Sequence, residues 1–458
     1  MSKTILILFA VSIVIIAGLA YHWTRCTPTI CVVPEKALVD EPIAIFISNL
    51  APNAQITLEA SCKNKDNDVW KSFATFQADD KGVVHVAKQA PISGSYKGIE
   101  PMGLFWSLTP TDKDPSKNTL MAQGTLNPGR VLLSVFSGDK LRAQKVINRG
   151  WPDVETKEIR QQGIVGTLCY PKSRKANPGI ITIHGAGGVP DIGLTQLLAS
   201  HGYTVLALAW FGAEGLPKNI SLIPLEYFQN AMRWLKKQPQ VDGNKIALLG
   251  QTRGAELVLL LASLFPGEMD AGIAFSPYHL VFGDYSQEEK SAWTYKNKPV
   301  PFMPMLSDQE VLEGIKEGHI TLHTGTIEDP ILYTQFSLYR MKTISNKIKE
   351  IATIPVENIR CPILIVSGND DKQCLSPVSG KSIMERLDSM DSRIKRKYVN
   401  YPNAGNHLLT FPYRSSIDLP FIYASSWTIA GGTPEGNAHA VEQAWQEVLR
   451  FLKETLSK

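Results

Sequence analysis

The stretch Lys245-Ile246-Ala247-Leu248-Leu249-Gly250-Gln251-Thr252-Arg253-Gly254 joins a short, solidly apolar run to a glycine-flanked turn, and residues 255–264 follow with a helical period. A run with no polar face suits a strand buried on both sides of a parallel sheet. The two glycines bracket Thr252 where the chain must turn tightly and its neighbours must carry no bulk. In a strand-turn-helix of the form G-x-S-x-G the middle residue is a nucleophile, aimed at the open end of the sheet. Thr252 holds that position, and the backbone N–H of Arg253 lies beside the reacting carbonyl. A glycine-containing strand-to-helix turn without chemistry has the same local pattern, so the weight rests on what accompanies it.

Working outward, similar apolar runs occur at 180–183, 204–210, 272–275 and 363–366. Helical periods at 192–201, 225–237, 380–387 and 438–455 lie between and after them. This alternation predicts right-handed βαβ units in one doubly wound α/β domain over 151–458, with a mostly parallel sheet. The polar, irregular stretch 278–355 interrupts it as an insertion over the sheet's edge or a lid. Upstream, over 31–150, short strands are expected at 42–48, 55–62, 69–76, 83–87, 104–108, 131–136 and 141–147. Turn clusters separate them, which predicts an N-terminal immunoglobulin-like β-sandwich.

The 458 residues are 44% hydrophobic and 20% charged, which excludes a disordered, fibrous or polytopic membrane protein. With 47 basic against 43 acidic side chains there is no basic patch to recruit nucleic acid. Six cysteines without a C-x-x-C pair predict neither a disulfide scaffold nor a structural zinc. Residues 5–20 (ILILFAVSIVIIAGLA) carry no charge and follow Lys3. The pattern fits an uncleaved anchor or a secretory signal. Residues 1–25 are therefore set apart, and membrane association through this single segment is expected, with export after signal cleavage as the alternative.

Two further motifs accompany the elbow. The run 363–366 leads into Gly368-Asn369-Asp370-Asp371, which places an acid after a late strand. Tyr401-Pro402-Asn403-Ala404-Gly405-Asn406-His407 then places a His in a loop before the terminal helix. Nucleophile, acid, His is the chain order of α/β-hydrolases. His407 would take the proton of Thr252, and Asp371 would hold its tautomer and stabilise the imidazolium. After the first long strand of this domain, His184-Gly185-Ala186-Gly187-Gly188 can turn backbone N–H groups toward an oxyanion, with Ala186 and Arg253 as the expected donors. Phosphate cradling is the rival reading of this loop, but it lacks G-x-G-x-x-G and a P-loop lysine.

With these residues in view, the chain resembles the acyl-CoA thioesterase and bile acid-CoA:amino acid N-acyltransferase family. The likeness rests on Asp40-Glu41-Pro42, Ala78-Asp79 with Gly82-Val83, Ala90-Pro91, Gly94-Ser95-Tyr96 and Met102-Gly103-Leu104-Phe105-Trp106-Ser107. In the second domain it rests on Pro224-Leu225-Glu226-Tyr227-Phe228, Gly254-Ala255-Glu256, the loop to His407, Gly431-Gly432 and residues 439–445. The resemblance implies a β-sandwich joined to an α/β-hydrolase domain and a triad of Ser or Cys, Asp and His. It matches Thr252 to the nucleophile, Asp371 to the acid and His407 to the base. Ser members of the family hydrolyse acyl-CoA, and Cys members can pass the acyl group to an amino acid.

Two departures stand out. Thr252 is neither Ser nor Cys, and its β-branch is unfavourable where the elbow needs φ > 0. The loop reads A-G-N-H where members have A-G-H or T-G-H, which displaces His407. The leading expectation is an acyl-CoA thioester hydrolase working through an acyl-enzyme, without metal or other cofactor. The alternative is a weak or inactive member that binds an acyl ligand or partner, and a third is acyl transfer to an amino acid. His439 and Glu256 are expected to serve packing and pairing within the fold.

Overall fold

The structure is a computed structural model that describes residues 27–456 apart from 113, 115, 116, 118, 120–122, 124, 125, 127, 128, 174, 189, 285, 286, 424 and 425. The apolar segment 5–20 lies outside the described residues. Among those described, no helix is long and apolar enough to cross a membrane, and the expected membrane placement is corrected accordingly. The five described cysteines form no disulfide.

The chain divides into two compact units. One runs to Trp151 and takes in Tyr413–Ile417; the other holds Pro152–Pro412 and the described residues from Asp418 onward. The first contains two antiparallel sheets. One joins Thr29–Val33, Ala44–Ser48 and Val84–His85. The other is built on Val69–Gln77, Gln55–Lys63, Arg130–Ser137 and Lys140–Asn148. Period-two alternation drives them: Ile56, Leu58, Ala60 and Cys62 all turn inward, as do Trp70, Ala74 and Phe76. The expected strand at 104–108 is instead a short helix, Gly103–Trp106. All four of its residues are buried, which an alternating strand cannot achieve. A Cβ on Gly103 would lie 2.6 Å from the Tyr96 ring, so only glycine permits this approach.

The second unit is an eight-stranded sheet covered by helices. Its strands are β1 (Val154–Gln161), β2 (Ile164–Pro171), β3 (Asn177–Ile183), β4 (Thr204–Ala209), β5 (Val241–Gln251), β6 (Ala271–Phe275), β7 (Ile363–Gly368) and β8 (Arg396–Tyr401). Their spatial order is β1-β2-β4-β3-β5-β6-β7-β8. The β1–β2 and β2–β4 pairs are antiparallel and all others parallel. This is the α/β-hydrolase fold. The helices are α1 (Ile192–Ser200), α2 (Leu225–Lys236), α3 (Arg253–Leu264), α4 (Ser376–Ser389) and α5 (Pro434–Leu456). Strands β3 to β7 are apolar on both faces and pack between helices, with α3 almost wholly buried. The stretch between β6 and β7 folds into short strands and the helices Asp308–Lys316, Tyr333–Thr343 and Asn346–Ala352. Loops after β3, β5, β6, β7 and β8 leave the carboxyl edge of one sheet, where open α/β folds hold their ligands.

Candidate active site

The chain bends after β5 with Thr252 at φ 51° and ψ −110°. A β-branched residue adopts this region only under strain, which surrounding bonds must hold in place. The Thr252 N–H donates to Phe275 O at 2.9 Å, and the Thr252 carbonyl accepts from Glu256 N–H at 2.9 Å. Both flanking glycines are required by contact. A Cβ on Gly250 would lie 2.3 Å from Gly254 O, and one on Gly254 would lie 2.2 Å from Ile183 O. Thr252 Oγ1 abuts the glycine-rich loop after β3, because a Cβ on Gly185 would stand 2.4 Å from it. Thr252 and the loop bearing Ala186 thus meet. Arg253 lies next along the chain, at the first position of α3.

Asp371 follows β7 and is buried. It accepts from the N–H groups of Gln373 and Cys374, each at 2.9 Å, and from Ser376 Oγ at 2.5 Å. Burial pushes its carboxyl up to about 6, against the opposing pull of these bonds. Its remaining donor is Asn406, whose Nδ2 lies 3.1 and 2.9 Å from the two oxygens. The Asn406 carbonyl in turn accepts from Gln251 Nε2 at 3.1 Å and Ser276 Oγ at 2.8 Å.

His407 is half-buried, with its ring 5.0 Å from that of Phe421. Among the described residues it makes no hydrogen bond to Thr252 or Asp371, and burial pushes its imidazole down to about 4. The expected Asp371–His407 hydrogen bond is therefore corrected: Asn406 occupies the place facing the acid. The reason lies in the loop, which is pinned from outside. Gly405 N–H donates to Asn437 Oδ1 at 2.9 Å, and Asn406 N–H donates to Ala430 O at 3.0 Å. A Cβ on Gly405 would fall 2.2 Å from Gly431 O. So fixed, the loop turns the residue directly after Gly405 toward Asp371. The A-G-N spelling is the sequence signal for Asn406 at this place, and the displacement of His407 is its consequence.

The chemistry changes with that residue. The Asn406 amide gives Asp371 a donor much as an imidazole Nδ1–H would, but it offers no basic lone pair to receive a proton. Beyond it, Gln251 Nε2 stands 3.4 Å from Asn406 Oδ1, so a second amide follows where a proton relay would run. Arg253, expected only for its backbone N–H, also has a wholly buried guanidinium, paired at 2.6 Å with the equally buried Glu256.

Titration follows from these burials. His184, His279 and His407 are each pushed down to about 4 by burial. Unfolded imidazoles bind protons near 6.5, so between about 4 and 6.5 the unfolded chain holds more protons at these three sites. Their contribution is present above that window and lost as pH falls through it. Asp371 and Asp418, both pushed up to about 6 by burial, act in the opposite sense as pH rises toward 6. Glu256 is raised by burial as well, but from pH 7 to 5 the imidazoles cross most of the span from 6.5 toward 4 while Asp371 and Asp418 cross only the part below 6, so the urea midpoint is expected to be lower at pH 5 than at pH 7. A midpoint that rises on acidification would refute the neutral, buried state of the three imidazoles.

Residues 223–458 match the family model described as BAAT / Acyl-CoA thioester hydrolase C terminal. Residues 40–161 match the one described as Acyl-CoA thioester hydrolase/BAAT N-terminal region. The chain is 30% identical over 441 residues to acyl-coenzyme A thioesterase 5 of Mus musculus, covering 94% of this chain and 97% of the relative. It is 28% identical over 444 residues to acyl-coenzyme A thioesterase 2, mitochondrial, of Mus musculus, covering 95% and 91%. It is 27% identical over 440 residues to acyl-coenzyme A amino acid N-acyltransferase 2 of Mus musculus, covering 92% and 96%. One of these relatives is named as mitochondrial.

Proposed function

Because the chain belongs to the acyl-CoA thioester hydrolase/BAAT family, we propose that it binds an acyl thioester at the Thr252 elbow and turns it over weakly or not at all. One observation carries this reading: Asp371 is hydrogen-bonded to Asn406, and among the described residues no imidazole joins the acid to the elbow. An alcohol is a poor nucleophile without an adjacent base. The thioester carbonyl sits over Thr252, with the Ala186 and Arg253 N–H groups as its donors. This reading keeps the elbow for receiving an acyl group and leaves it without a group that moves a proton.

A slow hydrolase is the second reading. Its support is the strained φ of Thr252 and the seating of its Oγ1 against Gly185, which keep the form of a nucleophile's position. Transfer to an amine is disfavoured, since an acyl group on Thr252 would be an ester without the reactivity of a thioester.

Titration calorimetry and a CoA-release assay on the same acyl-CoA series test the proposal. Saturable binding is expected, with no acyl adduct by intact mass. Thr252→Ala and His407→Ala are each expected to leave residual hydrolysis within about threefold of the parent. A stoichiometric burst of CoA, or an acyl adduct that disappears in Thr252→Ala, would overturn the binding reading in favour of the hydrolase.

A further inference from the structure

His184, directly after β3, stands outside the reaction parts named so far. Its Nδ1 lies 2.8 Å from Gly185 O. A carbonyl only accepts, so Nδ1 carries the proton and Nε2 presents a bare lone pair. Nε2 is shielded from solvent and has no hydrogen-bond partner among the described residues. The ring stacks on Trp210 at 5.1 Å and 19°, and tilts against Phe211 at 5.4 Å. Trp210 Nε1 donates to the His184 carbonyl at 3.3 Å, which fixes the backbone as well as the ring. The next residue, Gly185, is the one that backs onto Thr252 Oγ1.

An unmet buried acceptor forfeits its hydration with nothing in return, so one kept beside a binding loop calls for an occupant. Three roles compete. A proton acceptor for Thr252 is disfavoured, because burial has pushed this imidazole down to about 4 and its charged form is costly here. Capture of an ammonium is disfavoured by the same apolar surroundings, which penalise an unpaired charge. A neutral N–H donor remains.

Resting on the thioester-binding reading above, we propose that His184 Nε2 accepts a hydrogen bond from the amide N–H of the thiol carrier arm next to the thioester sulfur. In an acyl-CoA that amide is one ethylene unit from the sulfur. A carbonyl seated over Thr252 and Gly185 brings it to the residue beside Gly185. His184 then recognises the carrier, and the acyl chain is held elsewhere.

The test compares the parent with His184→Phe, which keeps a planar ring on Trp210 and removes the acceptor. Two probes are titrated: an acyl-CoA, and the S-ethyl thioester of the same acid, which has no amide. Affinity for acyl-CoA is expected to fall about five- to tenfold, the range of one net hydrogen bond, and affinity for the S-ethyl thioester to stay unchanged. With ¹⁵N-histidine labelling, the parent's His184 Nε2 resonance is expected to shift toward a hydrogen-bonded value on saturation with acyl-CoA but not with the S-ethyl thioester. Equal losses for both probes, or a parent Nε2 resonance unmoved by acyl-CoA, would overturn the inference and leave His184 a packing residue of the loop. A parent that binds neither probe would refute the thioester reading itself. A parent that binds acyl-CoA while His184→Phe binds it equally well would refute only the role of His184.

Discussion

The double variant Thr252→Ser/Asn406→His is expected to hydrolyse acyl-CoA at least about 10²-fold faster than the parent, since a positioned general base contributes 10²–10⁴. The geometry that accepts the new base already exists. Asn406 Nδ2 lies 2.9 and 3.1 Å from the Asp371 oxygens, the place an imidazole Nδ1–H would fill. Asn406 Oδ1 faces Gln251, the residue before the elbow, so the far nitrogen of an imidazole would project to that side. The single changes separate the two defects. Asn406→His supplies a base and is expected to give the larger part of the gain. Thr252→Ser relieves a β-branched residue at φ 51° and gives less, because a serine without a base remains a poor nucleophile. In the double variant, Asp371→Asn should remove most of the gained rate, while His407→Ala should leave it within a few fold. If the double variant is no faster than the parent while still binding acyl-CoA, the oxyanion side of the site is also defective.

The sheet was legible where burial is two-sided. Strands β3 to β7 each carry a short apolar run, and the alternation of these runs with helical periods pointed to the doubly wound domain. The β1–β2 hairpin was not legible. Strand β1 (VETKEIRQ) lies at the sheet edge with mostly exposed side chains, so no apolar pattern marks it. The elbow was legible because its glycines are demanded by contacts close in sequence and on the neighbouring strand β3. Asp371 was legible as an acid after a late strand, and the structure places it in the loop after β7. The choice between Asn406 and His407 was not. It depends on which of two adjacent residues the loop turns inward, and the bonds that decide it come from Asn437 and Ala430, more than twenty residues further along the chain. The inward-turned side chain of Arg253 was illegible for a similar reason, since apart from Glu256 its partners Phe282, Gly283 and Trp293 belong to the insertion after β6.

That side chain sets the last expectation. Either Arg253→Met or Glu256→Leu alone is expected to destabilise the hydrolase unit by about 3–5 kcal/mol, and the double variant by clearly less than the sum. The pair is wholly buried, with Arg253 Nη1 at 2.6 Å from Glu256 Oε2. The other end of the guanidinium donates to the carbonyls of Phe282 and Gly283 at 3.1 and 3.0 Å, and its plane lies 5.3 Å from the Trp293 ring centre. Glu256 also receives the Trp293 indole N–H at 2.7 Å. Burial alone raises the Glu256 carboxyl, and Arg253 is the leading influence drawing it back down. Removing Glu256 leaves a cation in an apolar interior, and removing Arg253 leaves an anion there; either is costlier than the pair is favourable. Removing both with apolar residues of similar volume deletes the two charges together, so the double variant should recover much of the loss. Urea unfolding of the four proteins, at one pH near neutrality, reads the coupling directly. A coupling near zero would mean that the two groups hold the insertion independently. A strong coupling would identify the ion pair as the tie between the first turn of α3, which begins one residue after Thr252, and Phe282, Gly283 and Trp293 of the insertion.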